Sequence, residues 1–314
     1  MSIRYIAVCA AVLLAHPVAT RADDHLRVGK PDATGFDFAI LQVGIDSGIF
    51  PKQKLEIETV TLSGSAKLHQ GMMSNGIDIA LGAGTDFAFI AKGAPEKGVA
   101  AMAGAPLNIA VLVRPDGSIK SVADLKGKKV GVSSLVSLTY WLGQQLSRRQ
   151  GWGNDGLVFA ETGSGQGSMA ALVSGSIDAM VGSLEGGLAL EKDGKAKVLA
   201  TFGSIDPFLT HMISATNEVM TNNPDALRRF LKGWFATVVY MKEHKDDAIR
   251  LSRTVTQLPP DIADKVYDIE MPMYFTDGHF DPKAIEVAKQ SIIDTGQATT
   301  MPDNKVLFTE EFLN

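Results

Sequence analysis

The chain has 314 residues, 45% of them hydrophobic and 21% charged, a composition that can fill a globular core and excludes a disordered chain. That length is more than one core ordinarily organises, and it predicts two domains. A formal net charge of −5, with no basic run, excludes nucleic acid and anionic membrane surfaces as partners.

Residues 1–22 stand apart. Arg4 gives a short basic start, Ile6–Leu14 is an apolar run, and Thr20-Arg21-Ala22 offers a cleavage site ahead of Asp23-Asp24, the anatomy of a secretory signal peptide. The run falls well short of the ~20 apolar residues a spanning helix needs, so export to the periplasm and removal are expected, with no stable membrane insertion. Cys9, the single cysteine, lies inside this segment. Cleavage after Ala22 would leave a mature chain with no disulfide, no thiolate nucleophile and no cysteine metal site.

Leu26–Gly29 reads as a first strand running into a Gly/Pro/aromatic loop over 30–38, and a helix follows from Ala39 to about Ser47. Leu55–Thr61 alternates apolar Leu55, Ile57 and Thr59 with Glu56 and Glu58, which is strand periodicity. Ser63-Gly64-Ser65 turns into a helix that leads to the stretch Gly71–Asp86. The core of that stretch recurs at Ala170–Glu185: a helical pattern, a glycine, Ile-Asp, and a short apolar run ending in Gly82 or Gly182. Each copy ends a buried strand on glycine and spills into a polar loop. Such a loop lies at the carboxyl end of a sheet, where open α/β sheets bind ligands.

Between the copies, Phe87–Lys92 reads as a short helix, and Val99–Gly104 and Asn108–Val113 as strands. Ser121 caps a small helix through Leu125, Val130–Val132 is a strand, and Tyr140–Gln150 a helix. Strands follow at Leu157–Phe159 and Val198–Phe202, and Leu209–Ala215 carries the chain back to the first lobe. Beyond Asn223, read as a cap before Pro224, the pattern is helical: Leu227, Phe230, Leu231, Trp234, Val238 and Met241 keep a 3.6-residue period. Further helices are predicted at Asp246–Thr254, Pro260–Met271 and Pro282–Thr295, clothing the first lobe from outside. Asp78 and Asp178 each follow the isoleucine that opens a buried strand, which predicts a scaffold role.

This order of elements, with the stretch Pro115–Val130, the paired Ile-Asp strands and the Asn-Pro-capped helix, resembles the periplasmic solute-binding proteins of nitrate/sulfonate/taurine-type ABC importers. The resemblance spans nearly the whole mature chain, and its most specific piece is Ile119–Val132. It implies an α/β, two-lobed type II periplasmic binding protein, each lobe a mixed sheet flanked by helices, hinged by two crossing segments. The divisions expected are 23–107 and 210–314 for the first lobe and 108–209 for the second. The implied function is capture of a small polar organic solute in the interlobe cleft and delivery to an ABC permease driven by an ATPase. A monomer is expected, with no cofactor, no metal and no enzymatic activity.

The strand-end loops and the resemblance together point to ligand contacts at Phe36, Asp37, Phe38, Ser63, Gly64, Ser65, Thr85 and Asp86 in the first lobe. In the second they point to Ser133, Ser134, Ser137, Tyr140, Thr162, Ser164, Ser183 and Glu185. Helix starts among these loops present free N–H groups and a partial positive charge suited to a sulfonate or carboxylate, though the same Ser and Thr side chains also serve as ordinary helix caps. Phe36, Phe38 and Tyr140 could wall the pocket, and His211 could bond a ligand at the hinge. Asp86 and Glu185 stand beyond their strands at matching places. If both line the cleft, they disfavour an inorganic anion and favour a solute with a donor group, such as an aminosulfonate or an aminopyrimidine; otherwise one or both face solvent. Two other readings share the scaffold. Thiamine-pyrimidine synthases and aromatic sulfinate desulfinases are similar in fold but depend on cysteine, and a soluble sensor module would have the same cleft.

Overall fold

The computed structural model describes residues 23–163, 165–205 and 207–313. Residues 1–22, read from the sequence as a signal peptide, lie outside the described residues. The first lobe opens with β1 (Asp24–Lys30), α1 (Phe36–Asp46), α2 (Ile49–Lys52), β2 (Leu55–Thr61), α3 (Ser65–Met73), β3 (Ile79–Ala83), α4 (Phe87–Ala91) and β4 (Glu96–Ala103). The chain then crosses over to β5 (Ile109–Val113), β6 (Lys129–Val132), α5 (Leu138–Arg149), β7 (Val158–Glu161), α6 (Gln166–Ser174), β8 (Ala179–Ser183), α7 (Leu184–Lys192) and β9 (Lys197–Thr201). It returns through β10 (His211–Thr216) to α8 (Asn217–Asn222), α9 (Pro224–Glu243), α10 (Lys245–Thr256), α11 (Pro260–Glu270), α12 (Pro282–Asp294) and α13 (Asn304–Leu307).

The strands form two five-stranded mixed sheets built to one plan, the two-lobed α/β architecture expected. In the first the order is β2-β1-β3-β10-β4, with β1 parallel to its neighbours and β10 antiparallel to both of its own. In the second it is β7-β6-β8-β5-β9, with β6 in the place of β1 and β5 in the place of β10. Each sheet thus takes one strand from a segment that has just crossed from the other lobe. The two crossings, residues 104–108 and 202–210, are the hinge.

The repeated Ile-Asp has a matched structural role in both lobes. Asp78 accepts a hydrogen bond from the Arg27 backbone N–H at 2.8 Å, and its own N–H donates to the Arg27 carbonyl at 2.9 Å. Asp178 does the same with Lys129, at 2.9 and 2.8 Å. Each aspartate therefore locks the start of its strand to the neighbouring parallel strand. Each preceding isoleucine presses on a glycine: a Cβ on Gly29 would meet Ile77 at 2.7 Å, and one on Gly131 would meet Ile177 at 2.5 Å. The repeat is a packing unit of strand start, glycine seat and isoleucine knob.

Three differences from the sequence reading have physical causes. Helix α1 begins at Phe36 rather than Ala39, because Asp32 accepts from the Thr34 and Gly35 N–H groups and turns the chain early. Asn223 holds the position before α9 but makes no side-chain cap bond. The C-terminal helices do more than clothe the first lobe. Helix α11 packs on α7, and Asp294 of α12 accepts from Trp141 at 3.2 Å and from Arg148 at 2.6 Å on α5. The largest apolar cluster is correspondingly continuous, from Leu26 and Val28 in the first sheet to Leu112 and Leu184 in the second lobe.

Asp78 also holds the Arg27 guanidinium, at 2.6 Å, on a partly exposed face, so it carries more than Asp178 does. Asp78→Ala is expected to cost about 2 kcal/mol and Asp178→Ala about 1 kcal/mol of stability in chemical denaturation. Midpoints indistinguishable from that of the parent chain would remove the strand-locking role.

Candidate functional site

Because β5 and β10 run antiparallel to their neighbours, each starts where β8 or β3 ends: Ile109 lies opposite Ser183, and His211 opposite Ala83. The hinge residues and the carboxyl ends of the parallel strands therefore meet on one face between the lobes.

At the centre lies Asp37, in the first turn of α1 and buried. Its Oδ2 is 3.2 Å from His211 Nε2, and its Oδ1 accepts from Asn108 Nδ2 at 3.2 Å and from the Tyr274 hydroxyl at 3.3 Å. Asn108 Nδ2 also lies 3.0 Å from His211 Nε2, while His211 Nδ1 faces the Gly82 carbonyl at 3.2 Å. Burial by itself would lower the His211 pKa; the Asp37 carboxylate outweighs it and the imidazole is raised above its ordinary value. Asp37 is the mirror case. Burial pushes its carboxyl up, but His211 and the Asn108 amide bring it below the usual carboxylate range. Phe38 meets His211 edge-on at 5.5 Å, and Phe36 lies 6.3 Å from Tyr274. One network thus ties the first lobe, both crossings and the segment after α11.

Two further carboxyls, Glu185 at the start of α7 and Glu270 at the end of α11, are 7% and 0% exposed. Burial, then the negative charge of Asp37, pushes Glu185 up to about 8. Burial, then Glu185 and Asp37, pushes Glu270 well above the carboxylate range. The two face each other across the lobes, so that a proton on Glu270 bonds to Glu185. As carboxylates, Glu185 Oε2 and both Glu270 oxygens have no donor. The Tyr274 hydroxyl has one proton, and Asp37 and Glu270 compete for it.

The other residues expected at the site are placed differently. Asp86 is turned into the first lobe, where Ser65 and the Ala83 N–H donate to its Oδ2 at 3.2 and 2.9 Å and His69 Nε2 lies 3.0 Å away. His69 Nδ1 contacts Glu96 Oε1 at 2.7 Å, and the ring stacks on Phe89 at 4.3 Å. Asp86 and Glu185 are not equivalent. Gly84 and Leu184 make matching bonds to Thr210 and Asn108, so Glu185 corresponds to buried Thr85, and a one-residue offset in a helical turn sends Asp86 inward.

The hydroxyls of Ser133 and Ser137 bond Thr139 at 3.0 and 2.9 Å, and Ser137 caps α5. Ser134 is bound to Ser137 within the same turn. Tyr140 accepts from Gln144 and packs edge-on to Phe159 inside the second lobe. Thr162 bonds the Val132 carbonyl and Ser168. Ser63 is exposed and Gly64 donates to the Pro31 carbonyl. Ser183 precedes α7 without a side-chain cap bond, and Ser164 lies outside the described residues. The structure therefore brings together Phe36, Asp37, Phe38, Glu185 and His211, and adds Asn108, Glu270 and Tyr274. Asn108 had a usable signal, since it sits one residue before a crossing strand as Thr210 does. Glu270 and Tyr274 had none, because only tertiary packing carries α11 to the cleft.

Among the described residues, no group of three or more His, Cys, Asp or Glu side chains is disposed to hold a metal ion, and no helix is long and apolar enough to cross a membrane.

The His69 cluster yields a signed pH prediction. Burial would lower its pKa, but Asp86 and Glu96 raise it to about 10, so its ionic contribution is full below pH ~6.5 and fades as pH rises through about 10. His69→Gln is expected to cost on the order of 3–5 kcal/mol at neutral pH, with the gap to the parent chain narrowing toward pH 10 in denaturant titrations. A gap that widens over that range would contradict the charged assignment.

The family model described as "NMT1/THI5 like" matches residues 35–248. No curated protein matches the chain in sequence. Among solved structures, the alkanesulfonate-binding protein SsuA from Xanthomonas axonopodis pv. citri bound to MOPS aligns with a TM-score of 0.78 at 16% identity, over 93% of this chain and 100% of that one. A protein from Bordetella bronchiseptica RB50 aligns with a TM-score of 0.77 at 19% identity, covering 93% and 96%. The desulfurization enzyme DSZB, in complex with biphenyl-2-sulfinic acid, is also similar, with a TM-score of 0.71 at 15% identity over 92% and 97%. At these identities the likeness establishes the fold.

Proposed function

The chain belongs to the NMT1/THI5-like family, and from that premise we propose that it captures a small polar organic solute between its lobes and delivers it to the permease of an ATP-driven importer. The observation that carries this reading is the origin of the site. Asp37 and Glu270 come from the first lobe, Glu185 from the second, and Asn108 and His211 from the two crossings. A solute touching all of them is enclosed only when the lobes close, so binding energy and closure are one event. The lobe division we propose is 23–107 with 210–314 against 108–209. The place of action we propose is the periplasm, reached through removal of residues 1–22, with the chain working as a monomer.

The similarity to DSZB favours a second reading, an enzyme on this scaffold. A cysteine-based reaction needs a thiol, and beyond Cys9 the chain has none. His211 is committed to Asp37 and the Gly82 carbonyl, which leaves it no free nitrogen for proton transfer. Solute capture without covalent chemistry is the reading supported best.

A thermal-shift screen of the purified chain against sulfonates, amino acids, aminopyrimidines, aromatic carboxylates, nitrate and bicarbonate tests it. A bound solute at 100 times its Kd is expected to add about 2.7 kcal/mol and raise the melting temperature, and to be recovered intact. Conversion of the solute into product would replace the capture reading with the enzymatic one.

A further inference from the structure

This inference rests on the capture reading of the same cleft and concerns what its solute must carry. The polar atoms left over between the lobes are all of one kind. Asn108 Oδ1 and, once the two glutamates are ionised, Glu185 Oε2 and both oxygens of Glu270 are buried acceptors with no donor, and Asn108 is 3% exposed. The neighbouring donors are committed within the network: Asn108 Nδ2 to Asp37, Tyr274 to the carboxyls, and His211 to Asp37 and the Gly82 carbonyl. Among the described residues, other buried polar atoms without a hydrogen-bond partner lie away from the cleft: Trp234 Nε1 in α9, Ser214 Oγ in the middle of β10, Gln144 Oε1 in α5, and His69 Nε2 and Glu96 Oε2 in the His69 cluster of the first lobe. The charges with the largest effect on Glu185 are Asp37 and Asp32, and on Glu270 Glu185 and Asp37, all negative. The one cation in the network, His211, is already paired.

A buried acceptor without a donor is costly, and two facing carboxyls cannot both ionise without an intervening positive charge. A sulfonate or nitrate brings acceptors and a further negative charge, so it satisfies none of these atoms. We infer that the cleft selects an N–H-rich cation, an amidinium, a guanidinium or a protonated amino-substituted ring, which places its donors between Glu185 of the second lobe and Glu270 and Asn108 of the first lobe and the crossing. Such a group meets a carboxylate with two parallel N–H donors, the strongest neutralising geometry available to it. Both carboxyls are raised by burial and by negative neighbours, so ionising them to receive the cation releases protons to solvent. Selection and closure then share a cause, since the positive charge removes the repulsion between two carboxyls that closure brings together.

Calorimetric titration of the full chain at pH 7 with benzamidine, methylguanidine and 4-aminopyridine, beside MOPS and methanesulfonate, tests the inference. In the parent chain at least one nitrogen cation is expected to bind, with an observed heat that changes with the buffer's ionisation enthalpy as protons are released. Glu270→Gln and Glu185→Gln, which keep shape and remove charge, are expected to weaken that cation at least tenfold and abolish the buffer dependence, while circular dichroism reports an unchanged fold. A purely structural role for the pair would alter melting but not proton release. Binding of a sulfonate with the cations inert overturns the charge assignment and leaves solute capture standing. Cation binding that both glutamine variants retain also overturns it. Failure of every solute of either sign removes both readings.

Discussion

The constraint on which the rest of the structure depends is that each sheet is completed by a strand from the other side of the hinge. β5 and β10 enter antiparallel to their neighbours, so each begins beside the carboxyl end of a parallel strand. That geometry forces the crossings, the strand-end loops and the interlobe face into one place. It is why Asn108 and His211, residues of the hinge, touch Asp37, a residue of the first helix. A change at the hinge is therefore a change in the contacts around Asp37.

The molecule buries charge in two opposed ways. Around His69 the carboxylates of Asp86 and Glu96 flank one imidazolium inside the first lobe, and Ser65 and the Ala83 N–H help to satisfy them. That cluster lies inside one lobe and pairs its imidazolium with both carboxylates, although Glu96 Oε2 keeps no hydrogen-bond partner. Between the lobes the balance differs. His211 neutralises Asp37, and Glu185 and Glu270 are left facing each other, both carboxyls raised by burial and by negative neighbours. Burying like charges costs free energy unless something neutralises them, so the second arrangement is one that a partner can complete and the first is not.

Much of the architecture was legible because periodicity and turn chemistry act locally. Leu55–Thr61 is a strand over the residues expected, α9 follows the apolar stripe from Leu227 to Met241, and Asp78 and Asp178 are scaffold in both copies of the repeat. The serine-rich loop before α5 was legible only as a choice between ligand contact and helix cap, and its hydroxyls are bonded within their own turn. Asp86 was misaligned with Glu185 because similarity at the ends of the repeat is weak, and one residue of offset turns a side chain from cleft to core.

The sequence by itself determined that the chain has two similar α/β units, and it pointed to strand ends and to Phe36–Phe38, which the structure places beside the hinge, since all of these follow from short-range pattern. Only the tertiary structure decided which acids share the cleft. Glu270 arrives from a C-terminal helix that crosses back to touch α7, and whether a carboxyl is paired, protonated or exposed depends on neighbours remote in sequence. Burial and like-charge proximity are properties of the assembled interface, and no local pattern of residues encodes them.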